Sequence, residues 1–104
     1  MQFKSFLNFV DKEDQRLCEK YGNYSDEEKK ILARTVKINE EVGELSDEVL
    51  KYCSLAREEK LQTKNLEDEF ADVLLTVFLL AKSMKVDIPK ALEKKIKKIE
   101  KRYK

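Results

Sequence analysis

The sequence predicts an all-α fold, a four-helix bundle formed by a single domain over residues 1–104. Only two glycines and one proline occur, and helix formers such as Lys, Glu and Leu dominate, which is rare in strand-rich folds with many tight turns. Apolar residues also recur every three or four positions, the spacing of one helical face. A chain of this length buries a modest core, so we expect helix–helix contacts to assemble it into a homo-oligomer.

The first two helices are separated by a glycine. Apolar residues recur on one face over residues 2–21, and Gly22 ends this first helix. A second helix is predicted over residues 26–55, and Ser25 with Glu28 forms a capping-box pattern at its start. Its inner face is expected to carry a heptad seam made of Ile31, Thr35, Ile38, Val42, Leu45, Val49 and Tyr52.

The second half of the chain predicts two more helices. Residues 57–65 are polar and indicate a connecting loop, with Asn65 as the N-cap of the third helix. Asp87 and Pro89 predict the start of a basic fourth helix that extends to Tyr103. The third helix is expected to be the most buried, with Leu66, Phe70, Val73, Val77, Leu80 and Met84 on its inner face.

Composition and charge exclude several classes of function. The 22 basic residues nearly cancel the 21 acidic ones, so no overall field attracts nucleic acid. The N-terminus does not resemble a secretory signal and no apolar stretch is long enough to cross a membrane, so we expect a cytoplasmic protein. Cys18 and Cys53 lack the spacing of a zinc site or a disulfide framework, and we interpret them as buried thiols.

Two carboxylate pairs stand out among the acidic residues. Glu41 and Glu44 in the second helix are three positions apart, and so are Glu69 and Asp72 in the third. This spacing places both members of a pair on one helical face, within reach of one cation. Each of the four residues directly precedes an apolar residue of its helix, so the pairs are expected at the edge of the core.

Antiparallel packing of the two helices brings the pairs together, and Gly43 and Ala71 are small enough to permit a close approach. Two charges ~4 Å apart interact by roughly 4 kcal/mol at an effective dielectric constant of about 20. Four converging carboxylates therefore favour a bound cation, and ligands that are all oxygen suit Mg²⁺, with Mn²⁺ as the alternative. The chain has no histidine, which argues against a di-iron site. An acidic edge without a metal is the competing interpretation.

The sequence around these pairs resembles that of the MazG family of all-α nucleotide pyrophosphohydrolases. The family signature ExxE…ExxD is similar to Glu41-x-x-Glu44 and Glu69-x-x-Asp72, which 24 residues separate. EEVGEL, EFADVLL and the later KVDIPKALEKKIKK and KRY are also close to the usual sequences of the family, and the resemblance covers roughly residues 31–103. Ile99 stands where relatives often have an asparagine, so nucleotide recognition is expected to differ here.

The resemblance implies a function. The implied reaction is the Mg²⁺-dependent hydrolysis of a (deoxy)nucleoside triphosphate to the monophosphate and pyrophosphate, which fits house-cleaning of non-canonical nucleotides. The resemblance also implies a homodimer or homotetramer. The implied metal ligands are Glu41, Glu44, Glu69 and Asp72. Further catalytic candidates, as the general base or a supporting carboxylate, are Glu40 and Glu48, and candidate triphosphate-binding residues are Lys37, Lys98 and Arg102.

Three alternatives stay open beside this hypothesis. A phosphoribosyl-ATP pyrophosphohydrolase shares the fold and the acidic pairs, but those enzymes usually carry a Tyr-His dipeptide where this chain has Leu75 and Thr76. A nucleotide sensor binds without hydrolysis, and a helical scaffold binds no nucleotide. Base recognition is not assigned, because the aromatic residues able to stack on a base more often belong to a core: Phe3, Phe6, Phe9 and Tyr24.

Overall fold

The protein is all-α, as predicted. Its structure is a computed structural model that describes residues 1–54 and 63–103. None of the described helices combines the length and the apolarity needed to cross a bilayer. Helices α1 to α4 span Phe3–Lys20, Glu27–Ser54, Thr63–Ser83 and Ile88–Glu100, and short 3₁₀ turns span Gly22–Ser25 and Lys101–Tyr103.

The start of α2 differs from the predicted capping box. Asp26, not Ser25, is the N-cap, because its Oδ1 accepts a hydrogen bond of 3.1 Å from the backbone N–H of Lys29. The Ser25 hydroxyl instead donates to the carbonyl of Gly22 inside the 3₁₀ turn, at 2.9 Å. A carboxylate at this position also interacts favourably with the positive end of the helix dipole.

Removal of the Asp26 side chain is expected to destabilise the protein. Asp26→Ala leaves an early amide of α2 without its acceptor, which costs about 1 kcal/mol and lowers the melting temperature by about 4–8 °C. Ser25→Ala is the matched control, and it should lower the melting temperature by less than half as much. Thermal unfolding followed by circular dichroism measures both, and a larger loss in Ser25→Ala would restore the capping box as predicted.

The ends of α3 and the start of α4 have identifiable causes. Since α3 begins at Thr63, Asn65 lies in its first turn, and its prediction as the N-cap is wrong; residues 57–62 of the predicted loop lie outside the described residues. Lys85 follows α3 with a φ of 57°, and the N–H of Val86 donates to the carbonyl of Ala81, as in a Schellman motif. Asp87 caps α4 through the N–H of Lys90, as the predicted helix start implied.

Helices α2 and α3 pack antiparallel and form the main contact of the chain. Arg34 near the start of α2 bonds to residues near the end of α3, whereas Glu41, further along α2, lies beside Glu69 and Asp72 near the start of α3. Helix α1 covers one side of α3. The rings of Phe3 and Phe6 stack on each other and meet the edge of the Phe78 ring, so these aromatics pack with one another.

The predicted inner faces are only partly buried within one chain. Val42, Val49 and Tyr52 of the α2 seam are exposed, and so are Phe70 and Met84 of the predicted α3 face. The buried residues of α2 are instead charged: Lys30, Arg34, Glu41 and Glu48. A methyl group built on Gly43 meets no atom of the described residues within 4 Å, so the predicted close approach of α2 and α3 at Gly43 is wrong.

The apolar core of a single chain is small. Val10 and Leu79 are the only hydrophobic side chains among residues 1–54 and 63–103 that are buried. The radius of gyration is 16.7 Å, compared with about 13 Å for a compact domain of 100 residues. Helix α4 has no buried residue, and the prediction of two buried thiols is wrong for Cys53, which is exposed. The chain therefore leaves much of its apolar surface open.

Candidate functional site

Three of the four predicted metal ligands converge at the α2–α3 contact. Glu41, Glu69 and Asp72 each offer a carboxylate oxygen, and these oxygens all lie within 4.8 Å of one another. Glu41 is buried, with 6% of its surface exposed, whereas Glu69 is half-buried and Asp72 is exposed. Antiparallel packing causes the convergence. Glu69 and Asp72 lie three positions apart on one face of α3, and the packing places that face opposite Glu41. We call Glu41, Glu69 and Asp72 the acidic cluster.

Two oxygens of the acidic cluster are buried without a partner. Oε2 of Glu41 and Oε2 of Glu69 have no hydrogen-bond partner among the described residues. A buried carboxylate oxygen without a donor is costly, so it indicates that a ligand satisfies it. A divalent cation fits, because the donors are all carboxylate oxygens and hard cations prefer such ligands.

The cluster also changes the protonation of its members. Burial, followed by the charges of Glu44, Asp72 and Glu41, raises the pKa of Glu69 above its ordinary value. Burial and then the charge of Glu41 raise the pKa of Asp72, although Lys37 opposes this effect. Raised pKa values are the expected result when carboxylates share a site without a counter-ion. A cation in the cluster would reverse this effect.

Lys37 lies at the edge of the cluster. Its Nζ is 3.3 Å from Oε1 of Glu41 and 3.5 Å from Oε2 of Glu40. The hydrogen bond to Glu41 is the main reason that the pKa of Lys37 is raised, and burial opposes it. More than half of the Lys37 side chain is exposed, so its ammonium group is free to approach a phosphate beside the cluster.

The remaining predicted carboxylates have different environments. Glu44 is exposed and lies close enough to Glu69 to raise the pKa of that carboxyl. Glu40 is exposed and paired with Lys37. Glu48 is buried: one of its oxygens accepts from Lys51 at 3.2 Å and the other has no partner among the described residues. Of the two proposed bases, Glu48 is therefore the one with a free, buried oxygen.

A second charged group, which the sequence did not indicate, lies two turns before Glu41 on α2. The guanidinium of Arg34 is buried, and its Nη1 donates to Oδ1 of Asp14 at 2.7 Å and to the carbonyl of Leu79 at 3.0 Å. The same nitrogen donates to the hydroxyl of Ser83. Arg34 thus links α2 to α1 through Asp14 and to α3 through Leu79 and Ser83. Because Asp14 and Arg34 are 20 positions apart, no short sequence motif reveals the pair.

A cavity of about 340 Å³ connects the acidic cluster with Arg34. Glu41, Asp72 and Lys37 line one part of it, and Arg34 and Tyr24 line another. Its volume lies in the range of small-molecule sites. The other predicted phosphate-binding residues, Lys98 and Arg102, do not line the cavity, and α4 with the turn after it has no buried residue. Their role stays a prediction.

The chain matches a known protein family. The model of the MazG nucleotide pyrophosphohydrolase domain matches residues 29–104, which include both carboxylate pairs but not α1 or the first 3₁₀ turn. No curated protein and no solved structure gives a significant match. MazG domains generally depend on a divalent metal. Because the family model covers well over half of the chain, the protein belongs to the MazG nucleotide pyrophosphohydrolase family.

Proposed function

We propose that the protein hydrolyses a (deoxy)nucleoside triphosphate to the monophosphate and pyrophosphate in a Mg²⁺-dependent reaction. The observation that carries the proposal is that two buried oxygens beside Asp72, one each of Glu41 and Glu69, have no partner in the described part of the chain. Glu41, Glu69 and Asp72 would hold the metal, with Glu44 as a fourth ligand from the exposed side. A bound Mg²⁺ neutralises phosphate charge and lowers the pKa of a bound water.

The other residues of the site have separate roles in this proposal. Lys37 leaves Glu41 and pairs with a phosphate oxygen, since its ammonium group is exposed and only one helical turn away. Glu48 serves as the base that accepts the proton of the attacking water, since its buried Oε2 has no partner among the described residues. Glu40, which already pairs with Lys37, orients that lysine.

A pyrophosphate-release screen tests the function. Canonical and modified dNTPs and NTPs are incubated with the protein in Mg²⁺, in Mn²⁺ and in EDTA, and pyrophosphate and phosphate are measured separately. We expect pyrophosphate release from at least one nucleotide in Mg²⁺ and none in EDTA. Stabilisation by Mg²⁺ and nucleotide without release would identify a sensor, and the absence of both would identify a scaffold.

We also propose that the protein works as a homodimer or homotetramer. The support is the exposed apolar surface of a single chain, which includes Leu74 at 58% exposure and Phe70 at 53% on α3, with Leu92 and Ile96 on α4. Isolated soluble chains rarely leave such large apolar faces open. Val42, Val49 and Tyr52 of the seam predicted for α2 are exposed as well, so a second copy is the partner that fits these faces.

Assembly is expected to depend on the outer face of α3. Leu74→Glu places a charge in that face and should give a mass of one chain, 12.3 kDa, whereas the parent should give two or four times that mass. Gln15→Glu adds the same charge at an exposed polar position of α1 and serves as the control. Light scattering after size-exclusion chromatography measures the mass, and a monomeric parent contradicts the proposal.

A further inference from the structure

The unpaired donors of Arg34 point to a bound ligand. Only 3% of Arg34 is exposed, and its hydrogen bonds within the described part of the chain all come from Nη1, to Asp14 and to two groups of α3. Nε and Nη2 are buried and have no partner among the described residues. Buried donors without acceptors are costly and indicate a ligand that supplies them. Since Asp14 already neutralises the guanidinium, a neutral ligand with acceptors is sufficient.

Aromatic rings lie beside these donors. The guanidinium carbon of Arg34 is 5.2 Å from the centroid of the Tyr24 ring, and the Tyr21 ring is 5.4 Å from that of Tyr24. Both tyrosines and Arg34 line the cavity. Aromatic side chains bind nucleobases by stacking, because every base has a π-face. This end of the cavity therefore combines a stacking surface with unpaired donors.

The position of Arg34 on α2 matches the length of a nucleotide. Arg34 and Glu41 are seven positions apart, which corresponds to about 10.5 Å along the helix. In the proposed function the phosphates lie at the acidic cluster, and Lys37 is between the cluster and Arg34. The base then lies at the Arg34 end, with the sugar between.

We propose that Arg34 determines which base is accepted, an inference that rests on the proposed function. Nε–H and Nη2–H are neighbouring, parallel donors, so they select a base edge that presents two adjacent acceptors. Guanine has such an edge in O6 and N7, and cytosine has one in N3 and O2. Adenine and thymine place a donor next to each acceptor on the corresponding edges. The subsite thus selects guanine or cytosine nucleotides.

The test compares Arg34→Lys with the parent in Mg²⁺ on dGTP, dCTP, dATP and dTTP. Lysine keeps the charge opposite Asp14 but lacks the forked donors, so the fold should be retained, which circular dichroism checks. We expect the parent to prefer dGTP or dCTP, and the variant to lose about 5- to 150-fold in kcat/KM on the preferred nucleotide and less than about 3-fold on dATP and dTTP. Arg16→Lys, on the exposed part of α1, is the matched control and should behave as the parent.

Two further comparisons identify the base and separate this inference from the proposed function. If guanine is preferred, 7-deaza-dGTP should fall to the level of dATP because it lacks the N7 acceptor, and equal use of both guanine nucleotides overturns the inference. An equal loss on all four bases in Arg34→Lys also overturns it.

If the parent releases no pyrophosphate at all, the proposed function fails, and calorimetric binding of dGMP, dCMP, dAMP and dTMP tests the subsite. A preference for dGMP or dCMP that Arg34→Lys removes supports the inference, and equal binding overturns it.

Discussion

Glu41→Gln is expected to lower pyrophosphate release by at least about 100-fold, because metal sites lose 10- to 100-fold in affinity or activity even when only a supporting residue is changed. Glutamine has nearly the shape of glutamate, so the packing of this buried residue is kept. The substitution also removes one negative charge from the acidic cluster, and more than half of the Lys37 side chain that pairs with Glu41 is exposed to water. The folded protein should therefore retain its helicity and its melting temperature.

The measurement for Glu41→Gln is the initial rate of pyrophosphate release over the whole nucleotide panel, together with circular dichroism. Glu28→Gln is the matched control, because it makes the same change at an exposed position in the first turn of the same helix. It should keep the rate of the parent. A Glu41→Gln protein that hydrolyses the panel as fast as the parent would show that Glu41 is not a metal ligand.

Asp14→Ala should cause the largest loss of stability among single substitutions of charged residues. It leaves the guanidinium of Arg34 buried without a counter-ion, and the removal of one partner from a buried ion pair costs about 3 kcal/mol or more. A loss of that size lowers the melting temperature of a domain of this length by at least about 10 °C. Thermal unfolding followed by circular dichroism measures the loss.

A matched substitution on the same helix provides the control for Asp14→Ala. Asp11 pairs with Lys82 at 2.9 Å, but both side chains are substantially exposed. Exposed ion pairs contribute less than about 1 kcal/mol, so Asp11→Ala should change the melting temperature little. Equal losses in the two variants would contradict the role of Arg34 and Asp14 as the buried link between α1, α2 and α3.

Local signals in the sequence predicted the helices well. Gly22 follows the end of α1 by two residues, and Asp87 caps α4 through its close neighbour Lys90, so these ends could be located without tertiary information. The N-cap of α2 was missed by one residue, because Ser25 and Asp26 are both good caps and the hydroxyl of Ser25 has a competing acceptor in Gly22. Competition of this kind depends on the conformation of the turn, which the sequence pattern does not specify.

The burial of each face was harder to predict. Periodicity located an apolar stripe on α2, but in a single chain the buried stripe carries Arg34, Glu41 and Glu48. Two pairs of carboxylates, Glu41 with Glu44 and Glu69 with Asp72, indicated which parts of α2 and α3 form the acidic cluster. Arg34 was not predicted as a site residue, because its partner Asp14 is 20 residues away and no short motif connects them.

The most direct test of the central claim is a titration of Mn²⁺ into the protein, in which electron paramagnetic resonance detects the free ion. The titration needs no nucleotide and no turnover, so it examines the acidic cluster alone. We expect the parent and Glu28→Gln to bind Mn²⁺ equally, and Mg²⁺ to compete for the site. Glu41→Gln and Glu69→Gln should each bind at least about 10-fold more weakly. Equal binding by all four proteins, or no binding by the parent, would contradict a metal site formed by Glu41, Glu69 and Asp72.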